Sequence, residues 1–366
     1  MHYLNFIFQF KSSVAGFSLI DTQKAVTMLR IKKEVDLSQF KKNGKRRGKR
    51  IAMAVVMTVM TTLLAAYLFQ KPFTPSPYES YRPQWSNLDL VQLPNEMAKK
   101  EKTFPNLKKD CDKKIGLHDK PESTEYAFVY IPGFSATRKE IFPVVESLSK
   151  QFAANYFLSR FPAHGEGALD FKKIEAQGLF DTVYEAGEIA PKLGRKKIFI
   201  GTSTGAALVA AGLVQNMDID AAILIAPAFA VYPKNSWLLS TRLGPVFNFF
   251  LVDEIYKWSP RNPSMELYWS TSYHRDGLIA LLQSVEYIRS LDFSKINKPV
   301  LMLYTKNDDV VINQAIIDKF TEIKDKRSRL LSIPASSHVL AGEFTSPETT
   351  ELAIKEIHSW IQSLDL

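Results

Sequence analysis

The chain has 366 residues, 46% of them hydrophobic, with 47 Lys and Arg against 38 Asp and Glu and a single cysteine, Cys111. One cysteine excludes an intrachain disulfide. Residues 1–50 hold 12 basic against 3 acidic side chains and the remaining 316 balance at 35 against 35, so the positive charge belongs to the tail and gives no reason to expect a nucleic-acid surface elsewhere.

Residues 1–50 form a basic tail. Met28 opens a segment that already contains the basic block Lys41–Arg50, and it is the expected natural start. Residues 51–69 follow with no charge over 19 residues. As a helix they would span about 28 Å, close to the thickness of a bilayer's hydrocarbon core. The basic flank before them predicts a single-pass anchor with the N-terminus in the cytoplasm and the rest of the chain outside it. A cleaved signal peptide and a buried core helix are the rival readings. The run is long for a signal peptide, and Ala65-Ala66-Tyr67-Leu68-Phe69 is a poor cleavage site.

Residues 70–114 read as a linker and lead-in. Gln70–Gln92 is rich in Pro, Ser and Tyr, as a spacer would be, and Leu93–Lys114 has a helical pattern broken at Pro105. From about residue 125, strands and helices alternate, without internal repeats. Strands are predicted near 126–131, 155–160, 197–201, 221–226, 299–305 and 329–333, and helices near 138–152, 181–193, 204–216, 313–324 and 347–363. That rhythm is the βαβ pattern of a doubly wound, mostly parallel sheet, and about 250 residues suffice for one domain with a sizeable core.

The first predicted strand runs into Pro132-Gly133-Phe134-Ser135, and the third into Gly201-Thr202-Ser203-Thr204-Gly205. An apolar strand, Gly-x-Ser-x-Gly and a small-residue helix are the sequence form of a nucleophile elbow, which would raise the Ser203 hydroxyl above a helix N-terminus. Such an elbow predicts an acid and then a histidine, each after a later strand. Lys298–Tyr304 is followed by Asn307-Asp308-Asp309-Val310-Val311, which offers Asp308 as the acid and Asp309 as the runner-up. Arg329–Pro334 is followed by Ser337-His338-Val339, which puts His338 where a general base belongs. His358 falls in the C-terminal helix and reads as a packing residue, and Cys111 is not a candidate nucleophile. The backbone N–H groups of Phe134 and Thr204 are the expected oxyanion donors.

Between Pro227 and Asn297 the rhythm breaks, and this insert, about 228–297, is rich in aromatic residues. It is expected to form a cap. Most of its aromatics should hold the cap together, while some should line an apolar pocket. Trp237, Phe247 and Trp258 are the candidates.

Taken together, Pro132–Thr137, Phe161-Pro162-Ala163-His164-Gly165-Glu166-Gly167, the Ser203 pentapeptide, Asn307–Val311 and Ser337-His338-Val339-Leu340-Ala341-Gly342 resemble the α/β-hydrolase superfamily over residues 115–366. The nearest likeness is to bacterial monoacylglycerol lipases, carboxylesterases and serine-aminopeptidase-like enzymes. Two departures stand out: Pro132 where the family often has histidine, and Ala163 where it often has glycine. In such enzymes the loop holding His164 shapes the site, which implies a structural role for this histidine. The resemblance implies an α/β-hydrolase fold with a helical cap, preceded here by one transmembrane helix.

The expected activity is hydrolysis of carboxylic esters, such as monoacylglycerols or lysophospholipids, by Ser203, Asp308 and His338. The chain would act as a monomer, without metal or organic cofactor, since no ligand-spaced His, Cys or Asp cluster is present. The same triad could serve a peptidase or a thioesterase. A non-catalytic binding module on the same fold is the alternative of a different class, and Pro132 is the one feature that leans that way.

Overall fold

A computed structural model of the chain describes residues 44–68, 72–241 and 243–366. Met28 and most of the basic tail lie outside the described residues. Helix α1 (Gly44–Leu68) covers most of the predicted anchor. Among the described residues no helix is long and apolar enough to cross a membrane, and the predicted span of 51–69 ends at Phe69, which lies outside them.

The stretch read as a spacer is tied down from Ser76 onward. The Ser76 amide donates to Gln177 (2.7 Å), the Gln84 amide to Glu188 (2.9 Å) and the Trp85 indole N–H to Glu185 (2.9 Å). Helix α2 (Leu93–Glu101) is much shorter than the predicted lead-in. Its last residue forms a buried ion pair with Arg160 at 2.7 Å, which fixes this segment to the loop after the third strand of the sheet. A charge pair this dry needs close hydrogen-bonded geometry to offset its desolvation.

The central sheet has seven strands in the order β1-β3-β2-β4-β5-β8-β9. These are β1 (Lys114–Gly116), β2 (Thr124–Ile131), β3 (Asn155–Leu158), β4 (Gly194–Thr202), β5 (Ala221–Ile225), β8 (Val300–Tyr304) and β9 (Arg329–Ser332). All neighbours are parallel except β1, an antiparallel edge strand absent from the sequence reading. Register pairs such as Val129 with Phe199 and Leu224 with Met302 stack apolar side chains across the sheet.

Alternate residues serve opposite faces. Val129, Phe199, Leu224 and Met302 join the core under α4 (Ala176–Leu193) and α5 (Thr204–Val214). Tyr130, Ile200, Ile223 and Leu303 join the core under α3 (Val144–Gln151) and α10 (Pro347–Gln362). A parallel sheet covered on both faces explains why its strands read as continuous apolar runs.

Helix α3 begins at Val144 instead of 138, because Pro143 disfavours helical backbone at Phe142. Helix α9 (Asn313–Glu322) follows β8.

The cap departs from the helical expectation. It contains a short 3-10 turn (Ser236–Ser240), α6 (Gly244–Leu251) and α7 (Pro263–Tyr268), and also an antiparallel ribbon of β6 (Ile255–Lys257) and β7 (Ser272–His274). The last helix of the insert, α8 (Asp276–Arg289), packs on α4 and α5, so it belongs to the layer over the sheet.

Candidate active site

Ser203 stands alone between the end of β4 and the start of α5, with φ +52° and ψ −114°. A non-glycine residue held there costs on the order of 1–3 kcal/mol, which the surroundings must offset. The Ser203 amide donates to Ile225 O at 2.8 Å, and its carbonyl accepts from Ala207 and Ala228. The flanking glycines are sterically required. A Cβ on Gly205 would lie 2.1 Å from Ile131 O, and one on Gly201 would lie 2.6 Å from the Ala206 backbone. The turn therefore presses directly on the end of β2 and its Pro132–Ser135 loop. Thr204 is the first residue of α5, where an amide has no partner inside the helix. Phe134 is half-buried, and its ring meets His164 edge-on at 4.9 Å and Tyr273 at 5.4 Å.

Asp308 and His338 meet after β8 and β9. His338 Nδ1 lies 2.7 Å from Asp308 Oδ2, and both side chains are almost wholly buried. The other carboxylate oxygen, Oδ1, accepts from the Val310 and Val311 amides at 2.9 Å each. Burial pushes the Asp308 carboxyl up, but His338 and those two amides outweigh it and the net shift is downward. Burial pushes His338 down, yet the charge and hydrogen bond of Asp308, with Glu140 and Asp309 further off, leave it above the usual imidazole value. The loop is clamped by Thr305 Oγ1 donating to Ala335 O (2.7 Å) and Ser346 Oγ to Val339 O (2.7 Å). Asp309 lines the cavity beside the pair. His338 Nε2 is buried and bonds to no protein atom among the described residues.

A cavity of about 520 Å³ joins these parts. Ser203, Thr204, Phe134 and His338 form its floor, and the cap supplies Tyr256, Trp258, Trp269 and Tyr273 as walls. Of the three cap aromatics singled out in the sequence, Trp258 is one of the lining residues. Trp237 and Phe247 do not line the cavity. Trp237 is 37% exposed on its 3-10 turn, and Phe247 lies on α6, whose neighbours Phe249 and Phe250 face solvent. Tyr256, Trp269 and Tyr273 are among the insert's aromatics but the sequence does not single them out, because Tyr256 and Tyr273 are placed by the β6–β7 ribbon and Trp269 by the end of α7, elements too short to leave a readable period. Glu140 escaped it too. It is buried against the cavity floor, with no motif around it.

His164 occupies a core position. It is fully buried among Phe134, Phe161 and Phe171, its Nδ1 lies 3.0 Å from Pro162 O, and burial pulls its pKa down to about 3. His358 packs on Phe152 with ring centroids 4.9 Å apart, and Cys111 is a buried free thiol. Among the described residues no group of His, Cys, Asp and Glu could hold a metal ion.

Residues 176–345 match the family model described as serine aminopeptidase, S33. Similar solved structures include one described with LipS and LipT, metagenome-derived lipolytic enzymes. It is 13% identical with TM-score 0.58, covering 70% of this chain and 100% of that one. The monoacylglycerol lipase of Paleococcus ferrophilus is 18% identical with TM-score 0.53, covering 69% and 98%. A soluble variant of the monoglyceride lipase of Saccharomyces cerevisiae, solved with a substrate analogue, is 13% identical with TM-score 0.54, covering 68% and 91%. No curated protein matches the chain in sequence.

The chain has the α/β-hydrolase fold, and the part of it from 176 to 345 is similar to a serine-hydrolase family. The solved structures that share this fold with it include lipolytic enzymes and monoacylglycerol lipases.

Proposed function

We propose that this chain is a membrane-anchored hydrolase of carboxylic esters in which Ser203 is the nucleophile, His338 the general base and Asp308 its orienting acid. The observation that carries this reading is the buried Asp308–His338 pair, whose histidine lines the same cavity as Ser203 at its strained turn and keeps Nε2 without a hydrogen-bond partner among the described residues. Asp308 keeps the proton of His338 on Nδ1, which leaves Nε2 as the acceptor. His338 Nε2 takes the Ser203 proton as Oγ attacks the acyl carbon. The oxyanion is held by the Phe134 and Thr204 amides, which need no reorganisation during the reaction. Collapse breaks the bond to the alcohol, which leaves with the proton from His338. A water molecule then gives its proton to Nε2 and attacks the acyl-enzyme, and collapse frees the acid and returns the proton to Ser203.

Aromatic walls suit an acyl chain, and two similar folds carry monoacylglycerol hydrolysis in their names. Monoacylglycerols and lysophospholipids are therefore the favoured substrates. The aminopeptidase description of the family model favours peptide hydrolysis as the second reading. Such a site must bind a substrate's free amine. Of the two carboxyls at the cavity, Glu140 already accepts two hydrogen bonds, which leaves only Asp309 for that task. The test is turnover by the full-length protein of a monoacylglycerol beside an aminoacyl anilide. Ester turnover with no anilide cleavage is the expected result; the reverse preference would install the peptidase reading.

The membrane part of the proposal rests on residues 51–69, uncharged and behind a basic block. Within α1 every residue from Ile51 to Leu64 is exposed, and Ile51, Val55, Met57, Met60 and Leu64 are each more than half exposed. An apolar surface all round a helix needs either a protein core or lipid. The positive-inside rule then places the catalytic domain outside the cytoplasm. A reporter fused after Leu366 should read as non-cytoplasmic, and a cytoplasmic signal would reverse this topology.

A further inference from the structure

The mechanism above makes no use of a carboxyl group that lies directly behind the loop carrying the Phe134 amide. Glu140 is 3% exposed, in the turns between that loop and α3. Its Oε2 accepts two hydrogen bonds, from Tyr130 Oη at 2.6 Å and from the Gly133 amide at 2.7 Å. Tyr130 is the penultimate residue of β2, and its hydroxyl also lies 3.2 Å from Oγ1 of Thr202, the residue before Ser203. A single carboxyl thus connects the end of β2, the loop at Gly133 and the end of β4.

Glu140 is itself held in place. Its amide donates to Thr137 O at 3.0 Å, and its carbonyl packs so closely on Gly342 that a Cβ there would lie 2.4 Å away. Burial pushes its carboxyl up, against the hydrogen bonds from Tyr130 and Gly133 and the nearby charge of His338. Placing an ionisable group in such a dry setting is costly, and the sheet and helices have no need of it for their own hydrogen bonding.

The loop does need it. Pro132 has no N–H to anchor it, and the residue after it is glycine, the least restrained backbone. The Gly133 carbonyl accepts from the Ala136 amide at 3.2 Å, and Glu140 holds the Gly133 N–H on the other side of the same residue, so the two bonds together fix the peptide that carries the Phe134 amide.

We propose that Glu140 is a positioning residue for the oxyanion hole, holding the Gly133 amide so that the amide of Phe134 faces the acyl oxygen of an ester bound at Ser203. The inference rests on the proposed Ser203 mechanism and adds a residue to it. A pre-set amide donor of this kind is worth about 10²–10³-fold in kcat, and its loss should appear in the transition state more than in substrate binding.

The test is a pair of variants in the full-length protein. In Glu140→Gln the amide oxygen can still accept both donors. In Glu140→Met the side chain fills a similar space and accepts neither. The Gln variant should stay within about fivefold of the parent, while the Met variant should lose about 10²-fold in kcat with KM for the same ester nearly unchanged. Affinity for a trifluoromethyl ketone, which forms an oxyanion on the serine, should fall in parallel with kcat in the Met variant. A role in folding alone would not produce that parallel fall.

Parental kcat in Glu140→Met would overturn the proposal, as would a Gln variant as poor as the Met variant. If Glu140→Met does not fold, Glu140→Asp takes its place. Its carboxyl is one methylene short of Gly133, and kcat should again fall while KM holds; parental kcat there would overturn the proposal. Ser203→Ala, run alongside, separates the two layers. If it abolishes turnover while the Glu140 variants are normal, only the positioning role fails. If it leaves turnover intact, the mechanism fails with it.

Discussion

Replacing Ser203 with alanine is expected to lower kcat for an acyl ester by about 10⁶-fold, the loss seen when a triad nucleophile is removed. The fold should survive. Ser203 is only half-buried, and its structural bonds run through its own backbone, from its amide to Ile225 and from Ala207 and Ala228 to its carbonyl. Alanine keeps those bonds and must adopt the same left-handed φ of +52°. A steady-state assay on a monoacylglycerol, beside a thermal melt, checks both halves. Retained turnover in a well-folded variant would move the nucleophile elsewhere.

Asp308→Asn should cost about 10⁴-fold in kcat, as when the carboxylate of such a triad becomes an amide. The reason lies in the two oxygens of Asp308. Oδ1 is taken by the Val310 and Val311 amides, so the asparagine oxygen must stay there. Its NH₂ then faces His338 Nδ1, which can only accept. The proton moves to Nε2, and the ring can no longer take the proton of Ser203. Asp309→Asn leaves the His338 bond in place and should cost far less; equal losses would mean that Asp308 is the wrong acid.

The pH profile gives a second readout of the same pair. Burial would lower the His338 pKa, yet the charge and hydrogen bond of Asp308 outweigh it and hold the ring above its usual value. A general base must be neutral to work, so kcat/KM should fall on the acid side with a midpoint above the ordinary imidazole value of about 6.5. Residual activity of Asp308→Asn should show that midpoint moved to lower pH, because the anion that favoured the imidazolium is gone. An unmoved limb would assign the titration to another group.

Much of the catalytic domain could be read directly from the sequence because its signals are local. Strands buried on both faces give unbroken apolar runs, as in Ile198-Phe199-Ile200 and Val300–Tyr304. The elbow is encoded within five residues, since Gly201 and Gly205 are there to avoid backbone atoms next to them in space. Asp308 and His338 were visible as loop residues following strands, and the parallel order of β8 and β9 brings them together.

What the sequence concealed depends on contacts between distant segments. The edge strand β1 has three residues and no period of its own. The cap ribbon pairs Tyr256 with Tyr273 across an intervening helix, so its aromatics looked no different from Trp237 and Phe247, which lie away from the cavity. The segment from Ser76 to Trp85 resembles a spacer in composition, yet its backbone amides bond to Gln177, Gln215 and Glu188 on other elements. Glu140 stood in a stretch that read as helix, where a glutamate is unremarkable. Its meaning comes from Tyr130 and Gly133, which the turns before Pro143 fold back towards it.

The measurement that bears most directly on the central claim is fluorophosphonate labelling of the full-length protein, with the modified peptide identified by mass. An activated serine beside a general base should react, placing one adduct on Ser203 that disappears in Ser203→Ala. A folded protein that takes no label, or takes it on another residue, would contradict the account and leave a hydrolase fold serving as a binding module.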